Sequence, residues 1–297
     1  MWSLLRKESN PTESYITSVS IDHTGDVFCI GNCKGELCLL QTQTFEIMQK
    51  ENASKQAINF ILWSNDNRYI VTCSDDYLIR LHNSSTLNIL KEYKGSISSV
   101  YTCDISKQND RIVGSGKDGI IHVWSTSSGK QLDFVSGHRE VITSIHFNSD
   151  DKFILTSALD GLCRIFVSED LSLVKTCYFG SQSITYSIFS FSEKYIILCS
   201  SDNQIKVMDI LDNDIKLVYN EHQDCKLRSN VFLQEYQNNV EIIVPSDDGK
   251  IVCYNGIKEE VLWKINVGFP SEFLMISVNK NYIVCSQNNN VIVYKRE

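Results

Sequence analysis

The chain has 297 residues, of which 42% are hydrophobic and 22% charged, and it contains only three prolines, a composition that argues against extended disorder. Its formal net charge of −8 lacks the basic excess typical of a general nucleic-acid binder. No apolar run approaches the roughly 18 residues needed to cross a bilayer, and the first residues have no signal-peptide pattern. We therefore expect a nuclear or cytoplasmic protein that is not secreted and that contacts neither nucleic acid nor membrane directly.

The predicted elements begin with a strand-like segment, MWSLLRK, and continue as seven repeats. Each repeat contains a turn followed by an apolar strand: CKGELCLL, DDYLIRLH, KDGIIHVW, LDGLCRIF, SDNQIKVM, DDGKIVCY and QNNNVIVY. These segments end at Leu40, His82, Trp124, Phe166, Met208, Tyr254 and Tyr294, with spacings of 42 residues four times and then 46 and 40. Such a constant register over the whole chain indicates a repeat architecture.

Each period also contains two strand-like segments before the turn and, in all but the last, one after it, as in VITSIHFN, FILTSA and SLVKTCYF of the fourth repeat. Four short strands in about 42 residues are typical of one blade of a β-propeller. We predict an all-β, seven-bladed propeller of residues 1–297. Its repeats are expected at 14–53, 54–95, 96–137, 138–178, 179–219, 220–265 and 266–297, with 1–9 supplying the missing outer strand of the last blade.

Several features resemble catalytic or metal-binding motifs, but the repeat explains them better. STSSGK, residues 125–130, lacks the remainder of a phosphate loop and is predicted to be a turn with Gly129 at a positive φ. No Cys-x-x-Cys pair occurs among the eleven cysteines, which are expected to be buried free thiols. One aspartate per blade closes a turn in this interpretation: Asp76, Asp118, Asp160, Asp202 and Asp248. We expect no catalytic residue, no metal and no cofactor.

The third repeat, with Trp124 followed by Gly137-His138, resembles the WD-repeat family. Other repeats are more eroded, and Met208-Asp209 and Glu221-His222 are their nearest matches. The resemblance implies seven blades around a central channel and a bond between His138 and Asp160. WD-repeat proteins share a fold and not one function, so the fold alone does not identify the role of the chain.

The segments GHREVITSIHFNSDDKFILTSALDGLCRIF and FSEKYIILCSSDNQIKVMDI, with the long sixth repeat, resemble a narrower group. This group is the small propeller core subunit of COMPASS-type histone H3 lysine-4 methyltransferase complexes. The resemblance implies a non-catalytic scaffold whose partners are a SET-domain methyltransferase and other subunits. The alternative is an adaptor in another assembly: a ubiquitin-ligase substrate receptor, or a ribosomal or trafficking scaffold.

The same resemblance implies two binding surfaces. In the central channel, an arginine side chain of a partner would stack on Tyr101. Val231 stands where the family has a second ring. The flanking polar positions are Asn59, Thr143 and Thr185, with the carboxylate of Asp75 nearby. With a single ring, arginine-containing peptides are expected to bind weakly. A second surface across blades 5 and 6 would include Tyr195, Val207, Gln234 and Tyr236, and is expected to dominate. The insertion in the sixth repeat is either a protruding part of that surface or a plain loop.

Overall fold

A computed structural model describes residues 2–12, 14–180, 182–220, 231–236, 239–268, 275–287 and 290–297. Over these residues the chain forms 28 strands and no helix, and the strands build seven four-stranded antiparallel sheets. The predicted all-β, seven-bladed propeller is confirmed. Within the same described residues, no helix has the length and apolar character that a membrane span requires.

The strands of each blade follow one another in chain order from the channel outward. Blade 1 contains β2 (Ile16–Ile21), β3 (Val27–Asn32), β4 (Glu36–Gln41) and β5 (Ile47–Asn52). Blade 2 contains β6 (Ile58–Trp63), β7 (Tyr69–Ser74), β8 (Ile79–Asn83) and β9 (Ile89–Tyr93). Blade 3 contains β10 (Val100–Ile105), β11 (Arg111–Gly116), β12 (Ile120–Ser125) and β13 (Gln131–Ser136).

The next three blades repeat this order. Blade 4 contains β14 (Ile142–Phe147), β15 (Phe153–Ala158), β16 (Leu162–Val167) and β17 (Leu173–Tyr178). Blade 5 contains β18 (Ile184–Phe189), β19 (Tyr195–Ser200), β20 (Ile205–Asp209) and β21 (Ile215–Tyr219). Blade 6 contains β22 (Phe232–Tyr236), β23 (Asn239–Ser246), β24 (Lys250–Asn255) and β25 (Val261–Asn266).

Blade 7 is built from both ends of the chain. It contains β26 (Met275–Val278), β27 (Tyr282–Gln287) and β28 (Asn290–Arg296), and β1 (Trp2–Ser9) pairs with β28 as its outermost strand. The pairing runs antiparallel from Trp2 opposite Arg296 to Ser9 opposite Asn290. The predicted closure by the N-terminal segment is therefore confirmed, and the ring is fastened by ladder hydrogen bonds.

The hydrophobic core lies between neighbouring blades, because each sheet buries one face against the preceding sheet and the other face against the following sheet. Between blades 2 and 3, Val71 and Ile79 pack with Cys103 and Trp124. The side chains that end the seven repeat segments are all buried, with at most 8% exposure: Leu40, His82, Trp124, Phe166, Met208, Tyr254 and Tyr294. The 42-residue spacing therefore separates equivalent core positions in successive blades.

The first strands of blades 1 to 5 pack against one another in succession and, with that of blade 7, surround the channel. In blades 1, 4 and 5, a hydroxyl group of the preceding blade accepts a hydrogen bond from the free edge of the first strand, which satisfies a backbone donor there. The backbone N–H groups of Ile21, Ile145 and Ser187 donate to Ser277, Thr102 and Ser144, respectively. We call the junction between two neighbouring blades a seam.

The antiparallel order gives the propeller two faces. The upper face is the one where each first strand begins and where the second and third strands are joined; the lower face carries the turns between first and second strands. On the upper face, the five predicted aspartates each accept a hydrogen bond from the backbone N–H two residues later, as expected. On the lower face, residues 125–130 form the predicted turn, with Gly129 at φ 74°.

Candidate functional site

Four of the predicted channel residues occupy one equivalent position in successive blades. The register between the first and second strands shifts immediately after Ile16, Ile58, Val100, Ile142 and Ile184, so that each first strand has one extra residue, a β-bulge, at its upper end. The extra residues are Thr17, Asn59, Tyr101, Thr143 and Thr185. Sequence reasoning missed Thr17, although the 42-residue register leads to it directly.

Most bulge residues are used to hold neighbouring blades together. The hydroxyl of Thr17 donates to the carbonyl of Ile58, and that of Thr143 donates to the carbonyl of Ile184 at 2.9 Å. The side-chain amide of Asn59 donates to the carbonyl of Val100 at 2.9 Å. At these seams the bulge side chain satisfies a backbone acceptor of the next blade. Thr185 donates instead to the carbonyl of Cys199 in its own blade, at 3.2 Å.

Tyr101 differs from the four polar bulge residues because its side chain is an aromatic ring. Its side chain is 36% exposed, and within the described residues it makes no hydrogen bond of the kind formed at positions 17, 59 and 143. A phenol ring is too long to reach the neighbouring carbonyl as a threonine hydroxyl does. The ring therefore presents its face and edge to the solvent at the mouth of the channel.

A carboxylate, that of Asp75, lies at the same seam as this ring, between blades 2 and 3, and Asn59 connects the two positions. The amide nitrogen of Asn59 donates both to Oδ1 of Asp75, at 2.9 Å, and to the carbonyl of Val100, the residue before Tyr101. Asn59, Asp75 and Tyr101 thus lie at one seam, and their role in binding an arginine stays a prediction. We call this set, with Thr17, Thr143 and Thr185, the upper mouth. An exposed ring at the same seam as a fixed carboxylate is suited to a cationic side chain.

Val231 lies elsewhere than predicted. Its side chain is 1% exposed and packs in the core between blades 5 and 6, in contact with the cluster that contains Tyr186 and Tyr254. Val231 directly precedes β22, and its apolar side chain is stabilised by this burial. The prediction for Val231 rests on the 42-residue spacing of the repeats. That spacing changes to 46 residues at the sixth repeat, which contains the insertion.

The residues predicted on blades 5 and 6 are mostly internal. Val207 is 4% exposed in the same core, and Tyr195 packs against it. Gln234 is buried and donates to Oε2 of Glu241 at 2.6 Å. Tyr236 belongs to β22, but its side chain lies outside the described residues, as do the insertion 221–230 and Glu221-His222. A docking surface here stays a prediction.

The histidines of the described blades take structural positions. Nδ1 of His138 lies 3.0 Å from Oδ2 of Asp160, as expected, and Nε2 lies 2.9 Å from the hydroxyl of Thr156. Burial lowers the pKa of His138, so the ring is neutral at pH 7. In the part of the chain that the structure describes, no group of three or more His, Cys, Asp or Glu residues could hold a metal ion.

The thiols are mostly buried, as predicted. Of the described cysteines only Cys33 is exposed, and burial raises the pKa of Cys38 to about 11. Cys225 lies outside the described residues. A thiol with such a raised pKa is a small apolar side chain and not a nucleophile at neutral pH.

Comparisons with known proteins agree with this architecture. Residues 45–83, 87–125 and 129–166 match the family described as "WD domain, G-beta repeat". These matches confirm the predicted resemblance to WD repeats for this part of the chain, and the seven four-stranded blades show the β-propeller fold.

The individual proteins that resemble the chain have low sequence identity to it. The chain is similar to COMPASS component SWD3 of Saccharomyces cerevisiae, with 24% identity over 68% of this chain and 69% of that protein. It is also similar to SIR4-interacting protein SIF2 of the same yeast, with 22% identity over 71% of this chain and 42% of that protein. Eukaryotic translation initiation factor 3 subunit I of Danio rerio is 28% identical over 52% of this chain and 51% of its own length.

Proposed function

We propose that the chain is a non-catalytic scaffold subunit that binds partner proteins, and that its assembly is a nuclear histone H3 lysine-4 methyltransferase complex of the COMPASS type. Its partners would be a SET-domain methyltransferase and further subunits. The likeness to a protein named as a COMPASS component supports this assignment, as do the segments of blades 4 and 5 quoted above.

One structural observation carries the binding role: the partly exposed ring of Tyr101 at the upper mouth, with Asp75 held by Asn59 at the same seam. Thr17, Asn59 and Thr143 hold seams together, whereas the partly exposed ring of Tyr101 is available to a partner. A guanidinium placed on that ring gains about 0.5–2 kcal/mol from the cation–π interaction, which is less than the roughly 4 kcal/mol that millimolar affinity requires. A partner arginine is therefore expected to bind weakly, and to reach millimolar affinity only with further contacts.

The second candidate is an adaptor in a different assembly. The chain is similar to the initiation factor subunit at slightly higher identity than to the COMPASS component, over a shorter segment, and this similarity supports the second candidate. A propeller of this kind in a ubiquitin ligase, ribosomal or trafficking assembly would have the same fold and a different partner.

Identification of stoichiometric partners separates the two candidates. The chain, carrying a small tag and expressed at its native level, is purified and its partners are quantified by mass spectrometry. We expect a SET-domain methyltransferase in a ratio near one to one. Recovery of a cullin adaptor, ribosomal proteins or coat proteins at that ratio, without a SET-domain protein, would overturn the COMPASS-type assignment.

A further inference from the structure

A second opening of the channel lies on the lower face. A cavity of about 470 Å³ is ringed there by the second residue of the turn that follows each first strand in blades 1 to 5. These residues are spaced by 42 positions: His23, Asn65, Lys107, Ser149 and Phe191. Because equivalent residues of five successive blades line one cavity, the cavity lies around the propeller axis. We call these five residues the lower mouth.

Aromatic rings line the cavity on the side of blades 4 and 5. Phe191 is 50% exposed at the rim, and Phe147 and Phe189 lie deeper and are partly buried. The ring of His146 packs edge-on against Tyr186 with 5.2 Å between centroids. The half-exposed ring of Phe191 is therefore accessible to a ligand that enters the cavity.

Three carboxylates also line the cavity, and backbone or amide groups hold each of them in place. Oδ2 of Asp104 accepts from the N–H of Phe147 at 2.8 Å, and Oδ1 of Asp151 accepts from the N–H of Lys107 at 3.0 Å. Oε2 of Glu193 accepts from the side-chain amide of Asn148 at 3.0 Å. Among the described lining residues the only lysine is Lys107, and there are two histidines, His23 and His146, the latter with its Nδ1 3.7 Å from Oδ2 of Asp104. When these histidines are uncharged, the three carboxylates outnumber the one lysine. The local charge is then negative.

We propose that the lower mouth is a second ligand site, which takes the cationic side chain of a peptide, a guanidinium in preference to an ammonium. The negative lining attracts a cation into a concave site with low-dielectric walls. The rings of blades 4 and 5 provide faces on which a planar guanidinium stacks while its N–H groups reach the carboxylates. This site is on the opposite face from Tyr101 and is independent of the function proposed above.

The test is a titration of the full chain with the peptide acetyl-Gly-Arg-Gly-amide, followed by NMR through the backbone amide signals of Ser149 and Phe191. We expect saturable shifts, with weaker binding of the lysine peptide and none of the citrulline peptide, which is uncharged. Phe191→Ala, at a half-exposed turn position that tolerates truncation, should weaken the binding at least threefold, read through Ser149.

Two matched variants complete the test. Phe134→Ala removes a phenylalanine of similar exposure from the outer strand β13, and Tyr101→Ala removes the ring of the upper mouth; both should leave the Ser149 titration unchanged. Absence of saturable shifts in the wild type, equal binding of the citrulline peptide, or no effect of Phe191→Ala would overturn the proposal. Loss in Tyr101→Ala alone would place the peptide at the upper mouth and would overturn it as well, without harm to the function proposed above.

Discussion

At the scale of single residues, the buried core position near the end of the third strand holds different side chains in different blades, and His82 shows how a polar one is accommodated. His82, in blade 2, is fully buried. Its Nδ1–H donates to the carbonyl of Leu87 at 3.1 Å, so Nε2 accepts from the hydroxyl of Thr72 at 3.0 Å. Desolvation lowers the pKa of His82 to about 4, and the folded protein keeps this ring neutral.

This buried histidine predicts acid sensitivity. In the unfolded chain the pKa of this histidine is about 6.5. Between pH 6.5 and pH 4 the unfolded state therefore binds a proton that the folded state does not bind. The stability contribution is complete above the unfolded pKa and falls by about 3 kcal/mol as the pH drops to the folded pKa. In urea unfolding at pH 7, 6 and 5, the wild-type midpoint should therefore fall relative to that of His82→Gln. Parallel midpoints of the two proteins would contradict this account.

At the scale of elements, one arginine connects three strands where the ring closes. Arg296 of β28 contacts Oε2 of Glu241 on β23 at 2.6 Å, and the two side chains are 8% and 6% exposed. The guanidinium carbon lies 4.7 Å from the ring centroid of Trp2 on β1, and Trp2 contacts Trp263 on β25 with 5.6 Å between centroids. The outer strand of blade 7 is thereby tied to blade 6.

A double-mutant cycle tests this buried ion pair. Glu241→Leu removes the carboxylate that faces a buried guanidinium and should lower the free energy of unfolding by about 3 kcal/mol. Because Arg296→Met then removes the buried charge, the double variant should be more stable than Glu241→Leu alone. The measurement is urea unfolding of the wild type, both single variants and the double variant. Strictly additive losses would show that the two side chains do not interact.

The strands could be predicted from the sequence, but this ion pair could not. Alternating apolar residues and turn-forming Asp, Asn and Gly are local signals, and they predict strand number, blade number and the closure by β1. The pairing of Glu241 with Arg296 joins residues 55 positions apart in two blades, and no local pattern indicates it. No local pattern indicates the hydroxyl groups that accept hydrogen bonds from the first strands either, such as the hydroxyl of Ser144, which accepts from the backbone N–H of Ser187.

At the scale of the whole molecule, the 42-residue register predicts site positions only where it is constant. In blades 2 to 5 it leads to Asn59, Tyr101, Thr143 and Thr185, which share one bulge position, while their role in binding stays a prediction. It failed at Val231, which follows the insertion and is buried between blades 5 and 6. The lower mouth was missed because its residues share a position and not a chemical type: His23, Asn65, Lys107, Ser149 and Phe191.

The central claim is that the ring at position 101 is kept for a partner and not for the fold. In Tyr101→Thr, the new hydroxyl should donate to the carbonyl of Ile142, as Thr143 donates to Ile184. The free energy of unfolding should then rise by about 1 kcal/mol. Tyr178→Thr, which changes an exposed tyrosine of the outer strand β17, serves as the control and should gain nothing.

The decisive measurement follows the binding of acetyl-Gly-Arg-Gly-amide through the backbone amide signals of Val100 and Thr102, which report the upper mouth. For Tyr101→Thr we predict affinity reduced about fivefold or more, because one cation–π contact is lost, together with the increased stability. Tyr178→Thr should bind like the wild type. Unchanged affinity in Tyr101→Thr, with stability reduced, would show that Tyr101 serves the fold and would contradict the account.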